Sequence, residues 1–380
     1  MKYIFLVIFF LFGIISTDDS LKLFGTSFFL LAFSIPSFLY FLLAKNVKIK
    51  LLIFLICIYF LSIHLESLPQ IKFDWMFSSI KFRFVLQVFR IFLILISAFF
   101  FIANYNLYKD QIISGLVFCS IFIYFSILVQ IILHFLGIKS GATYINEFNQ
   151  LRFGSFLGEP QILNFYALPG LIYSFVSCIF HQKKSRSYFH VLIFLFAIPF
   201  CYSTAFIGAI SLAILIIFIK NKLTRFLIGL FIIISFFFIS QKSEQVTSIN
   251  LRSITVVAGV ELLKDNLIFG IGVGMSPFYL FETDIFSSFP EFNFSNEFRQ
   301  NIMNSYVEIL VEFGIIGLLI LFIFFKSLNS ISLDLYNYKS IQIISLAYLI
   351  SALSVGSVFY SASILFITIF FKMKLDAEDN

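Results

Sequence analysis

The chain has 380 residues, of which 60% are hydrophobic and only 12% charged, with a mean hydropathy of +1.01 and a net charge of +6. Soluble domains carry about 25% charged residues, so this chain has too little polar surface for a soluble enzyme, a disordered protein or a nucleic-acid-binding domain. The composition implies a polytopic membrane protein whose positive charge sets its orientation.

Apolar runs fall at residues 3–16, 22–44, 49–65, 84–105, 112–137, 161–180, 188–202, 204–219, 225–240, 303–326, 340–355 and 357–371. Backbone groups in lipid must bond internally, so each run is expected to be a helix. The expected fold is all-α, a polytopic integral membrane bundle of about 12 transmembrane helices. The first run follows Lys2 like a signal-peptide core, but Ser16-Thr17-Asp18-Asp19 comes after it where small residues would mark a cleavage site. It reads as a short first membrane helix. No internal repeat or low-complexity linker interrupts residues 1–380, which read as a single membrane domain.

Lysine and arginine in the loops give the orientation. With the N-terminus inside, the cytoplasmic side holds 15 bases against 5 acids, and both termini are cytoplasmic. The long connections 66–83, 138–160 and 241–302 then all face outward. Loops of this length usually carry function. Segments 138–160 and 241–302 are expected to form a cap over an active site. Within the second, Val256, Val257, Val260, Leu263 and Leu267 have helical spacing, which predicts a short helix at the membrane surface over 252–267.

Cys57, Cys119, Cys178 and Cys201 all lie in apolar runs without a CxxC, and read as buried thiols. His64, His134, His181 and His190 have no zinc spacing, so no metal is expected. His64 and His134 sit near outer helix ends, where an interfacial or hydrogen-bonded role is expected.

Four stretches carry candidate chemistry. Arg83, Gln87 and Arg90 form a polar stripe at the outer end of one helix; its two cations can grip a pyrophosphate or snorkel to lipid headgroups. The second stretch is Arg152-Phe153-Gly154-Ser155-Phe156-Leu157-Gly158-Glu159-Pro160. Its glycines and proline allow tight backbone geometry. The fork of Arg152 suits a phosphate, while a solvated loop meeting lipid headgroups is the plain alternative. The third is Arg252, followed by Asp265-Asn266 and by Gly270, Gly272 and Gly274. No strand precedes these glycines, so close packing of a loop on membrane helices is a better reading than nucleotide binding. In the fourth, Asn304, Glu308 and Glu312 follow one another at i, i+4 and i+8 on one helix face. Carboxylates inside a span are costly and face a bundle or a watery cavity. Glu308, about one turn inside, reads as interfacial at the sequence level, and Glu312 as deeper, with pairing to an arginine and catalysis both open. Gly314 and Gly317 fit close helix packing.

Taken in order, these stretches resemble the O-antigen polymerase (Wzy-type) and O-antigen ligase superfamily of bacterial membrane glycosyltransferases. The resemblance runs from about 150 to 320 and rests on residues 152–160, a short element at 203–208, Arg252 with 265–274, and 303–317. One departure stands out: the family usually has His before the Asn, and here that place holds Met303. That argues against a ligase and leaves the base open, with Glu282, Asp284, Glu291 and Glu297 just upstream.

The resemblance implies a metal-independent polymerase of the inner membrane, without a cofactor. It would join undecaprenyl-pyrophosphate-linked oligosaccharide repeat units into an O-antigen or capsule at the outer face. It also implies a chain-length regulator and a flippase as partners beside the lipid bilayer, and no nucleic acid. Carried to this sequence, the catalytic set is Arg152, Glu159, Arg252, Asn304 and Glu312, with Arg83, Arg90, Arg299, Gly154 and Pro160 binding substrate. A ligase-type glycan transferase is the nearest alternative, and a secondary transporter or lipid-linked oligosaccharide flippase is the alternative of another class.

Overall fold

The computed structural model of the protein describes residues 2–10, 22–23, 26–65, 68, 80–138, 143–145, 151–153, 160–180, 185–201, 208, 211–212, 247–282, 302, 304–328 and 338–351. In chain order these form α1 (Lys2–Phe10), β1 (Lys22–Leu23), β2 (Thr26–Ser27), α2 (Phe28–Leu43), α3 (Val47–His64) and α4 (Ile80–Phe135). There follow β3 (Thr143–Ile145), β4 (Leu151–Phe153), α5 (Pro160–Phe180), α6 (Ser185–Cys201), α7 (Thr247–Asn266), α8 (Ser276–Glu282), α9 (Ser305–Ser327) and α10 (Tyr338–Ser351). The architecture is predominantly helical, as expected from the apolar runs. Two short antiparallel pairings, β1 with β2 and β3 with β4, were not foreseen. The first takes up the start of the run 22–44, so its helix begins only at Phe28.

Three described helices, α3, α4 and α9, are long and apolar enough to cross a membrane. Shorter apolar helices cover Ser34–Leu43, Tyr166–Cys178 and Arg186–Cys201. The expected helices at 225–240 and 357–371, and most of 204–219, lie outside the described residues, so the count of about 12 is not established.

α4 spans 56 residues, and a straight helix of that length would extend ~84 Å, far beyond the ~30 Å hydrocarbon layer. It does not run straight. The Phe9 ring is 5.7 Å from that of Phe101, and the Phe9 Cβ is 2.9 Å from where a Cβ would stand on Gly115. Along a straight helix positions 101 and 115 would be ~21 Å apart, too far for one phenylalanine to bridge. The chain therefore turns back between them, near the polar residues Asn106, Lys109 and Asp110. Two arms result, matching the expected runs 84–105 and 112–137.

The arms form the centre of the molecule. The first packs on α2 and α3 through Phe92, whose ring lies 5.9 Å from Phe41 and 6.3 Å from Phe54. The second packs on α5 and α6. There the buried His190 ring is held between the hydroxyls of Ser120, 2.8 Å from Nε2, and Ser174, 2.7 Å from Nδ1. Three helical segments are thus tied by one satisfied histidine. Cys119 and Cys201 are buried free thiols, and Cys57 and Cys178 are half-buried ones.

α7 was expected along residues 252–267 as a short helix at the membrane surface. The helix is there, with Val257, Val260 and Leu267 exposed and Ile254, Thr255, Ala258 and Leu262 buried. The packed face is chosen by close approach. A Cβ on Gly259 would come within 2.8 Å of Ile302 and 2.9 Å of Val307, so the helix lies tightly against the start of α9.

Candidate active site

The sequence Ser305–Ser327 has the apolar pattern of an unbroken helix, yet α9 breaks at Gly314, which takes φ 61° and ψ −179°. In a continuous helix the N–H groups of Ile315 and Ile316 would bond to the carbonyls of Val311 and Glu312. Here they donate to the carbonyls of Leu267 (3.0 Å) and Ile268 (3.1 Å). The carbonyls so released accept from the N–H groups of Ile271 (2.9 Å) and Gly272 (3.1 Å). The segment 267–272 thus inserts into the helix, and four new backbone bonds replace two helical ones. Irregular backbone among membrane helices is tolerated only when protein satisfies it. The Tyr59 hydroxyl adds to this by donating to the carbonyl of Phe269 (3.1 Å), with the Phe313 carbonyl 3.4 Å away.

This contact explains the glycines. Gly270 has φ +77°, and a Cβ there would stand 2.5 Å from the Glu312 carbonyl oxygen and 2.6 Å from the Gly314 nitrogen. A Cβ on Gly314 would collide in turn with the Gly270 nitrogen. Packing of a loop on membrane helices, the reading preferred for Gly270 to Gly274, is what the structure shows. Gly314 differs from the expected helix-packing glycine: it is the break itself.

The inserted segment also touches the polar stripe of α4. A Cβ on Gly272 would meet the Phe84 ring at 2.9 Å and His64 at 3.3 Å, and one on Gly274 would meet Gln87 at 2.7 Å. The Arg83 guanidinium lies 5.7 Å over the Phe278 ring, on α8. His64 is buried beside the rings of Tyr59, Phe60 and Phe84.

Behind the segment sits a buried charged cluster. Glu312 is 0% exposed, and its Oε1 accepts from the Ser276 hydroxyl (2.8 Å) and the Ser276 N–H (3.3 Å). Glu308, one turn earlier, is 2% exposed and acts electrostatically on Glu312. Both carboxylates act on Arg90, and Tyr166 of α5 joins them. The expectation that Glu312 faces the bundle holds. Glu308, read as interfacial from the sequence, is likewise buried within the protein.

The other expected site residues divide. Asn304 is the N-cap of α9, its Oδ1 accepting from Tyr306 (3.0 Å) and Val307 (3.2 Å). The backbone of Arg152 lies in β4, paired with Tyr144. Its neighbour Phe153 is buried, with its ring 5.3 Å from His134 and 6.2 Å from Phe200. Pro160 opens α5, where its fixed φ suits a first helical position. The backbone of Arg252 lies on α7, three and seven residues before the packed positions Thr255 and Gly259. Gly154, Glu159, Arg299 and Met303 lie outside the described residues. Among the described residues no three His, Cys, Asp or Glu side chains gather to hold a metal.

A family model described as O-antigen ligase matches residues 167–322. The match supports the likeness of this stretch to the O-antigen polymerase and ligase superfamily. No curated protein matches the chain. The O-antigen ligase stretch includes α7, the inserted segment, α8 and the broken α9. It therefore contains both carboxylates of the cluster, while Arg83, Arg90 and Arg152 come from outside it. The chain is thus a predominantly helical, apolar protein, with helices long enough to cross a membrane and a stretch similar to the O-antigen ligase family.

Proposed function

We propose that the protein is a polymerase that joins undecaprenyl-pyrophosphate-linked oligosaccharide repeat units at the outer face of the bacterial inner membrane. The observation that carries this reading is the meeting of Arg90, on α4, with Glu308 and Glu312 of α9, the two carboxylates lying inside the stretch similar to O-antigen ligase. A hydroxyl of the acceptor sugar attacks the anomeric carbon of the donor, and the lipid pyrophosphate leaves. Negative charge grows on the leaving group, and arginines held in place stabilise it. Arg152 and Arg252 make the paired contacts to that pyrophosphate, assisted by Arg83, Arg299 and, at the edge of the carboxylate cluster, Arg90. Glu159, Asn304 and Glu312 complete the catalytic set, with Gly154 and Pro160 shaping the binding loop. Segments 138–160 and 241–302 cap the site, and within the second, 267–272 is locked into α9. A chain-length regulator and a flippase act beside it, and both termini are cytoplasmic.

The test is complementation of a strain deleted for the gene. Arg152→Ala and Arg252→Ala should each lower chain elongation about 10²–10³-fold at matched protein level, as removal of one transition-state donor does. Lys at either position should restore little, because it lacks the paired fork. Normal chain-length ladders from both Ala variants would reject the arginine assignment. The second reading, a ligase, is favoured by the description of the matching family. It predicts that deleted cells hold long chains on the lipid carrier, where the polymerase reading predicts single repeat units.

A further inference from the structure

We propose that the loop between α2 and α3 is a binding site for an anionic two-tailed phospholipid, with Lys45 and Lys48 taking its phosphate. No acid occurs between Asp19 and Glu66, while Lys45, Lys48 and Lys50 follow one another closely. The structure divides these three lysines. Lys50 turns inward: its Nζ donates to the carbonyl of Leu42 (2.9 Å), near the end of α2, and lies 5.5 Å over the Phe41 ring. Lys45 and Lys48 are exposed, and so are Leu43 and Val47 beside them. Ammonium groups and large apolar side chains exposed together on one loop fit the edge of a bilayer. There the charges meet phosphates and the apolar groups enter the acyl layer.

From this loop, each helix carries an exposed apolar stripe. On α3, Lys48 heads Leu51, Leu55 and Ile58 at i, i+3, i+7 and i+10, and all three are exposed. From Lys48 to Ile58 is ~15 Å along the helix, half of a ~30 Å hydrocarbon layer. On α2, Ile35, Leu39 and Leu42 are exposed at i, i+4 and i+7, and this stripe ends at the same loop. The two helices meet at Phe41 and Phe54, whose rings are 5.8 Å apart. Two stripes that start from one basic loop fit one headgroup with two acyl tails, where a polyprenyl phosphate would bring a single tail. The site also lies apart from the carboxylate cluster. α3 runs ~24 Å from Lys48 to His64, and it is His64, at the far end, that meets the inserted segment at Gly272. Binding here is therefore independent of the glycan-transfer reading.

The experiment uses the full-length protein, stripped of lipid in detergent. It is titrated with phosphatidylglycerol or phosphatidylcholine of the same acyl chains, and bound lipid is counted by native mass spectrometry. Wild type should hold phosphatidylglycerol the more tightly. A lysine near an anionic surface contributes about fivefold, so Lys45→Gln combined with Lys48→Gln should weaken phosphatidylglycerol about 30-fold and leave phosphatidylcholine within about twofold. Lys50→Gln should keep phosphatidylglycerol within about twofold and instead lower thermal stability, since the tie to Leu42 is lost. If the double variant does not accumulate, each single variant decides, with about fivefold expected. Phosphatidylglycerol affinity within about twofold of wild type in these variants, or an equal loss for both lipids, overturns the site. A loss in Lys50→Gln as large as in the double variant overturns the division of the lysines. Displacement of phosphatidylglycerol by equimolar glycerol phosphate would reveal a headgroup-only site, and displacement by equimolar polyprenyl phosphate a one-tailed ligand; either result overturns the two-tailed assignment.

Discussion

Replacing Gly270 by alanine tests the lock between the inserted segment and the broken helix. Gly270 and Gly137 share φ +77°, but a Cβ on Gly137 meets nothing within 4 Å, whereas one on Gly270 meets backbone atoms of Glu312 and Gly314. Gly137→Ala therefore measures only the left-handed conformation, about 1–2 kcal/mol. Gly270→Ala carries the same cost and must also push the segment away, because backbone atoms cannot rotate aside. If withdrawal breaks two of the four inserted bonds, four buried polar groups lose partners. At ~1–3 kcal/mol per orphaned group this adds about 4 kcal/mol or more. Equilibrium unfolding of both variants in mixed micelles gives the difference directly. Losses within about 1 kcal/mol of each other would show that the insertion does not hold α9, and the account of its break would fall.

Arg90→Met removes the cation beside Glu308 and Glu312 and should cost ~3–5 kcal/mol in the same unfolding assay; adding Glu312→Gln should recover part of that, and a neutral Arg90→Met would mean the carboxylates are balanced elsewhere. The turn inside α4 predicts that Phe9→Cys cross-links to Phe101→Cys and Phe10→Cys to Phe122→Cys, since those rings lie 5.7 and 5.9 Å apart. A helix running straight through would allow only one of the two. A reporter fused after Lys184 should read as cytoplasmic and one near Glu291 as outside; a cytoplasmic signal at Glu291 would move the site to the wrong face for lipid-linked repeat units.

The membrane class, the helical runs and the two arms of α4 were legible in the sequence alone. They depend on composition and on local apolar length, which a bilayer turns into helix with few alternatives. The positions of the polar stripes were legible for a related reason: helical periodicity alone puts Arg83 near Arg90, and Glu308 near Glu312, on shared faces. That the two stripes meet was not legible, because Arg90 and the carboxylates lie more than two hundred residues apart and no local pattern joins them. Nor was the partner of α7, whose Gly259 is set against Ile302 and Val307 more than forty residues on. The break in α9 shows the limit most plainly. Its bonds run from one backbone to another across some forty residues, and backbone groups are the same at every position. Only the glycines, where a Cβ would collide, record in the sequence that another chain segment lies there. What that segment is, and which carboxylates it seals in, only the assembled helices decide.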